Sequence, residues 1–167
     1  MARKEDMSND GSKLNDSGVF TLNDTSVGRY GENKKKTDIQ LVQFFLRQFY
    51  KRHREIFVHL PQTRSGDGMI AIDGKYGRQT ELGILHFQKY IQKHGIGIKA
   101  DALVSAAHSL RGPQTDNIYT IHRLNTFFRT HGEYKEHHGK LEGHPDIIAL
   151  APELRAELLA ATVRNDF

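Results

Sequence analysis

The stretch Ile72-Asp73-Gly74-Lys75-Tyr76-Gly77-Arg78-Gln79-Thr80-Glu81-Leu82-Gly83-Ile84-Leu85-His86-Phe87-Gln88 decides how the chain is read. Its first half is a turn. The Asp73 carboxylate can accept from the turn's own N–H groups, Gly74 and Gly77 tolerate positive φ, and Tyr76 can pin the bend to a core. Its second half is helical, with Thr80 in the first turn and Ile84, Phe87, Gln88 and Ile91 on one face. Gly95 is placed to end this helix after His94. Gly83 lies in its interior, where glycine costs about 1 kcal/mol relative to alanine, and this predicts that another helix passes close by.

Working upstream, Gly28, Gly31 and Asn33 mark a turn, and Thr37-Asp38-Ile39-Gln40 has the capping-box form that opens a helix near Asp38. Ile39, Val42, Phe45, Leu46 and Phe49 make its apolar stripe as far as about His53, and Arg47, Lys51, Arg52 and Arg54 are expected in solvent. Between the two helices, Ile56 to Leu60 and Met69 to Ile72 flank Pro61 and the turn cluster Arg64-Ser65-Gly66-Asp67-Gly68, which predicts a small extended hairpin. Downstream, Ser105 to Asn117 is mixed around Gly112-Pro113. Ile118, Ile121, Leu124, Asn125 and Phe128 then restore helical spacing, with Asp116 as cap and Gly132 as stop. Glu133 to His144 is a polar, histidine-rich loop. Pro152 suits a first helical position and Glu153 the helix dipole, so a last helix with Leu154, Leu158 and Ala161 is expected to dock on the body.

Composition narrows the classes. A length of 167 residues suits about one domain on the usual scale of roughly 100–200 residues. With no cysteine there are no disulfides, thiolate nucleophiles or Cys-based zinc sites. Lys plus Arg number 24 against 20 for Asp plus Glu, an excess of +4 too mild and too interspersed to identify a partner. Residues 1–25 are rich in Ser, Asn, Asp, Lys and Gly and read as a flexible arm, with Val19, Phe20 and Leu22 able to tack it to the body. No secretory signal is read at Met1 to Ser8, and no run nears the roughly 18–20 apolar residues of a membrane span. The expected layout is therefore an arm at 1–25, a helical domain at 26–131, and a histidine-rich loop with a packed C-terminal helix at 132–167.

The central stretch resembles the peptidoglycan-binding domain family of small helical cell-wall-binding modules. Their hallmark is Asp-Gly-x-aromatic-Gly-x-x-Thr followed by a small residue, an aliphatic and Phe-Gln. Asp73, Gly74, Tyr76, Gly77, Thr80, Gly83, Ile84, Phe87 and Gln88 fill those places, with Tyr for the commoner Phe and Gly for the commoner Ala. Val27-Gly28, Gly31-x-Asn33 and Asp38-Ile39-x-Leu41-Val42-Gln43-x-Phe45-Leu46 are similar to the first helix region of these modules, so the resemblance covers about residues 26–104. The family's frequent second Asp-Gly turn is missing, with only Ala100-Asp101-Ala102-Leu103-Val104 near its place. The resemblance implies a mainly α, three-helix bundle, here carrying the extended insertion and the extra C-terminal helix, and non-catalytic binding of peptidoglycan without cofactor. It also implies that a hydrolase or secretion-system protein works with the module in trans.

Most of the motif is read as turn and core determinants. Its functional part is a shallow groove where Asp73, Tyr76, Arg78, Gln79 and Gln88 contact amide and carboxylate groups of a stem peptide, Arg78 with the planar fork that suits a carboxylate. His131, Glu133, Glu136, His137, His138, His144 and Asp146 crowd sixteen positions, yet no HExxH helix orders them, so a solvated loop is expected rather than a metal site. No carboxylate pair or Ser-His-Asp order supports catalysis. The basic run Arg47 to Arg54 is read as a solvated face rather than a nucleic-acid edge. The expected export route, if the chain acts at the wall, is a non-classical one, as for effectors of bacterial injection systems or phage products. The competing readings are a protein–protein adaptor reusing the fold and, behind it, a small wall hydrolase.

Overall fold

The segment from Ile39 to Tyr50 carries Ile39, Leu41, Val42, Phe44, Phe45, Leu46, Phe49 and Tyr50, large apolar side chains on every side of a helix, and such a helix can only lie in the middle of a fold. The computed structural model, which describes residues 3–5, 19–21, 25–61, 67–105, 120–130 and 141–163, places it there. In chain order the elements are β1 (Arg3–Glu5), β2 (Val19–Thr21), β3 (Val27–Gly28), α1 (Lys36–Arg52), α2 (Arg54–Phe57), α3 (Arg78–Lys93), β4 (Leu103–Val104), α4 (Thr120–Thr130), α5 (Pro145–Leu150) and α6 (Pro152–Val163), with a 3-10 turn at Leu141–Gly143 before α5. The fold is mainly helical, as expected.

Around α1 stand α3, α4 and α6. Phe87 of α3 meets Phe49 edge to face at 5.0 Å between ring centres, and Phe128 of α4 meets Phe44 at 5.4 Å. Gly83 does mark a close helix approach. The Tyr50 hydroxyl donates to the Gly83 carbonyl at 2.7 Å, and a Cβ there would lie 3.4 Å from Leu46 Cδ1 of α1. Thr80, Ile84, Phe87, Gln88 and Ile91 are all buried, and Gly95 takes φ +79 after the His94 C-cap. In α4, Ile121, Leu124, Asn125 and Phe128 face inward; Asp116 and Gly132, expected to bound that helix, lie outside the described residues, as do Ile118 and the mixed stretch beyond Ser105. Leu154 and Leu158 dock α6, which begins at Pro152.

The polar residues of α1 correct two expectations. Thr37 and Gln40 do not form a capping box: the helix starts at Lys36 without a side-chain cap, Thr37 Oγ1 donates to Glu157 at 2.9 Å, and Gln40 Nε2 donates to Glu153 at 3.4 Å. Both residues were wanted by α6, and an inter-helix partner displaced a local one. Arg47 is not in solvent either. It is 5% exposed, donates to the Ile70 carbonyl at 2.8 Å, and pairs with Asp67 and with Asp146 of α5. Lys51 likewise turns to Asp146, at 2.6 Å.

Among the described residues no strand forms on either side of Pro61, and that buried arginine takes one of the carbonyls a hairpin would use. The Ile70 carbonyl bonds to Arg47 rather than to a second strand, Met69 N–H bonds to Asp67, and residues 54–57 make the helical turn α2. Residues 62–66 lie outside the described residues. Within the stretch read as a flexible arm that Val19, Phe20 and Leu22 could tack to the body, β1 and β2 pair antiparallel, Lys4 opposite Phe20, with β2 against α4 and β1 against α6. Two further short strands, unforeseen in the sequence, join the ends of residues 26–104: Val27 pairs with Val104 and Gly28 with Leu103. Gly28, at φ +132, is required there because a Cβ would collide with the Ala102 carbonyl.

Candidate functional site

The turn before α3 is held by a side chain from α1. Asp73 Oδ1 accepts from Lys75 N–H at 2.9 Å, closing the Asx turn its sequence predicts, and Gly74 sits at φ +69. Gln43, buried in α1, matches this turn group by group. Its carbonyl accepts from Gly74 N–H at 2.9 Å, and its amide donates to Asp73 Oδ1 at 3.0 Å, to the Lys75 carbonyl at 3.1 Å and to Thr80 Oγ1 at 3.2 Å.

The same device recurs at the other end of α3. Gln88 accepts from Ala102 N–H at 2.8 Å and donates to the Leu103 carbonyl and Thr120 Oγ1, each at 3.0 Å, and to Asp101 Oδ1 at 3.3 Å. Asp101 Oδ1 accepts from Leu103 N–H, and Ala102 has φ +59 where Gly74 has +69. So the second Asp turn is present, with alanine in the left-handed position. This corrects the place assigned to Gln88. It is fully buried, its amide is satisfied within the fold, and it does not line the groove.

The other four expected residues come together. A recess of about 280 Å³ is lined by Gln43, Pro61, Ala71, Asp73, Lys75, Tyr76, Gly77, Arg78, Gln79 and Thr80, near the small end of the roughly 300–1,000 Å³ of typical ligand clefts. Gln79 is largely committed inward, donating to the Pro61 carbonyl at 2.9 Å. Tyr76 donates its hydroxyl to Glu81 Oε2 at 2.8 Å, and burial, then that bond, push its pKa up. Arg78 is 65% exposed and spends one N–H on Glu81 Oε1, at 2.8 Å. Lys75 is exposed and forms no ion pair among the described residues. No side chain caps the start of α3, and Gly77, Arg78, Gln79 and Thr80 at that start line the same recess.

Glu81, which no motif singles out, organises this rim. It accepts from Arg29, Arg78 and Tyr76, and the hydrogen bond from Arg29, then that from Tyr76, hold its carboxyl below the usual range. Gln43 was quoted in the resemblance without a role, and only its contact with Asp73-Gly74-Lys75 gives it one. The recess carries groups of both charge signs. Lys75, Arg78 and the open helix start suit a carboxylate, and the outward edge of Asp73 suits an ammonium or amide.

Of the histidine-rich group, His144 and Asp146 are described. His144 Nδ1 accepts from Asp146 N–H at 3.1 Å as the N-cap of α5, with its ring edge-on to Phe44 at 4.9 Å, and Asp146 is engaged by Lys51, Gln48 and Arg47. His131, Glu133, Glu136, His137 and His138 lie outside the described residues. The basic run of α1 does not form one charged edge, since Arg47 is buried and His53 stacks on Phe49 at 4.6 Å. No helix among the described residues is long and apolar enough to cross a membrane. No family model matches the chain, and no curated protein or solved structure does.

Proposed function

We propose that the chain is a non-catalytic peptidoglycan-binding module whose recess at Asp73 to Thr80 takes the end of a stem peptide. One observation carries this reading: a single open concavity is lined by Asp73, Lys75, an exposed Arg78 and the uncapped start of α3. Stem peptides end in carboxylates and carry amides and an amine, which is the chemistry these groups complement. The motif resemblance points to the same ligand. Gly74, Gln43 and Thr80 serve as scaffold in this reading, Asp73 closes the turn and meets the amine or amide, Arg78 and Lys75 clamp the carboxylate, and Tyr76 supplies the wall. The module would act beside a hydrolase or secretion-system partner supplied in trans, as an accessory or delivered protein.

Cosedimentation with purified sacculi tests it. The protein is expected to pellet with the wall, and Arg78→Ala to reduce retention about tenfold, the loss of one charge-assisted contact of roughly 1.5 kcal/mol. Failure of the unaltered protein to pellet, or unchanged retention of Arg78→Ala, contradicts the proposal. A second reading, a protein–protein adaptor, is favoured by a separate surface described next.

A further inference from the structure

A second recess, of about 340 Å³, opens on the outer side of α3 and is lined by Ile56, His86, Lys89, Tyr90 and Lys93. It shares no residue with the recess at Asp73 to Thr80. Helical spacing builds it: positions 86, 89, 90 and 93 fall three or four apart and make one strip, while Phe87, Gln88 and Ile91 turn to the core. Its floor is apolar and fixed. The Tyr90 ring packs against Phe49 at 5.2 Å, His53 at 4.7 Å and His94 at 4.3 Å, Ile56 stands beside it in the lining, and Val58, just beyond Ile56, is 66% exposed.

The rim is cationic without internal compensation. Lys89 and Lys93 are exposed and form no ion pair among the described residues. Burial first, then the charges of Lys89 and His59, hold the His86 pKa below its ordinary value, and no carboxylate among the described residues offsets them. The nearest acidic residue in sequence to Ile56, Glu55, is taken by His53 at 3.0 Å. A merely solvated lysine face has no need of a concave aromatic floor, and a phosphate track needs a longer basic stripe than Lys89 and Lys93 provide once Arg47 and Lys51 are committed to Asp146. We propose that this recess docks an acidic segment of a partner protein, with one aliphatic side chain on Tyr90 and Ile56 and carboxylates one helical turn apart on Lys89 and Lys93.

The test uses the full chain and a capped, alanine-rich helical peptide carrying Glu, Leu and Glu at positions i, i+3 and i+4, followed by amide chemical shifts. Shifts are expected at residues 56, 86, 89, 90 and 93. Replacing both Glu by Gln, or the Leu by Ser, should weaken binding about tenfold, as should Lys89→Glu with Lys93→Glu. Both lysines are exposed, so the double variant should keep the parent urea midpoint. A peptide with Lys in place of both Glu should recover binding to that variant. The proposal is overturned by an absence of shifts at this strip, by equal binding of the Gln or Ser peptides, or by tighter binding of a single-stranded oligonucleotide at the same residues.

Discussion

Replacing Gln88 with leucine, of similar volume, separates a scaffold residue from a ligand contact. The substitution leaves little cavity but removes every partner of the Ala102 N–H, a donor fully inside the protein, and strips one partner each from the Thr120 hydroxyl, the Leu103 carbonyl and Asp101. An orphaned buried donor costs about 1–3 kcal/mol, and the three partly compensated groups add roughly 0.5 kcal/mol each, so the loss should be about 3 kcal/mol. With a urea dependence of about 2 kcal/mol per molar, the unfolding midpoint should fall by about 1.5 M without change of slope. Equilibrium urea unfolding followed by far-UV circular dichroism measures this. A fall of less than about 0.5 M would mean that the Gln88 amide does not hold the 101–103 turn to α3, and would return Gln88 to the candidates for ligand contact. Below its own transition the variant should still be retained on sacculi, because Gln88 lies outside the recess.

The two left-handed turn positions should respond in opposite ways to exchange: Gly74→Ala places a methyl against Lys36 Cγ and 3.1 Å from the Lys36 carbonyl at φ +69 and should cost about 2 kcal/mol or more, whereas Ala102→Gly relieves a positive φ and should stay within about 1 kcal/mol of the parent in the same assay. Arg78→Ala should leave the stability measured by urea unfolding within about 0.5 kcal/mol of the parent, because Arg78 is 65% exposed and Glu81 keeps Arg29 and Tyr76. Acid should destabilise the fold through depressed carboxylates: Asp67 beside Arg47; Asp146, where Lys51 and Gln48 outweigh the opposing effect of burial; and Glu153, lowered from 4.5 to about 2 by Lys36. A carboxyl depressed in the folded state stabilises above its unfolded pKa and loses that contribution as pH falls through its folded value, so urea midpoints should hold down to about pH 5 and drop steeply from about 4.5 to about 2, less so in Asp146→Asn.

The helices were legible wherever apolar spacing was strong. Ile84, Phe87 and Ile91 placed α3, Ile121, Leu124 and Phe128 placed α4, and the Asp73-Gly74 turn is announced by the local bond from Lys75 N–H to Asp73, to which Gln43 adds its distant support. Misreadings fell on polar residues whose partners are remote in sequence. Arg47 looks like any solvent-facing arginine until Asp146 arrives from 99 residues away, and Thr37 and Gln40 fit a cap until α6 offers Glu157 and Glu153. The α5 helix was hidden because its cap is His144, a residue that composition assigned to a loop. The Asp101 turn was hidden because Ala102 stands where a glycine would announce it. In the candidate site, the turn and Arg78 could be read directly. Glu81 could not, since its role depends on Arg29 being brought across by the pairing of β3 with β4.

Titration with a soluble stem-peptide muropeptide, followed by amide shifts, tests most directly whether the recess at Asp73 to Thr80 receives a wall peptide. Saturable shifts confined to residues 71–80 and lost in Arg78→Ala are the predicted result. Shifts elsewhere on the surface, or none at millimolar muropeptide, would contradict it.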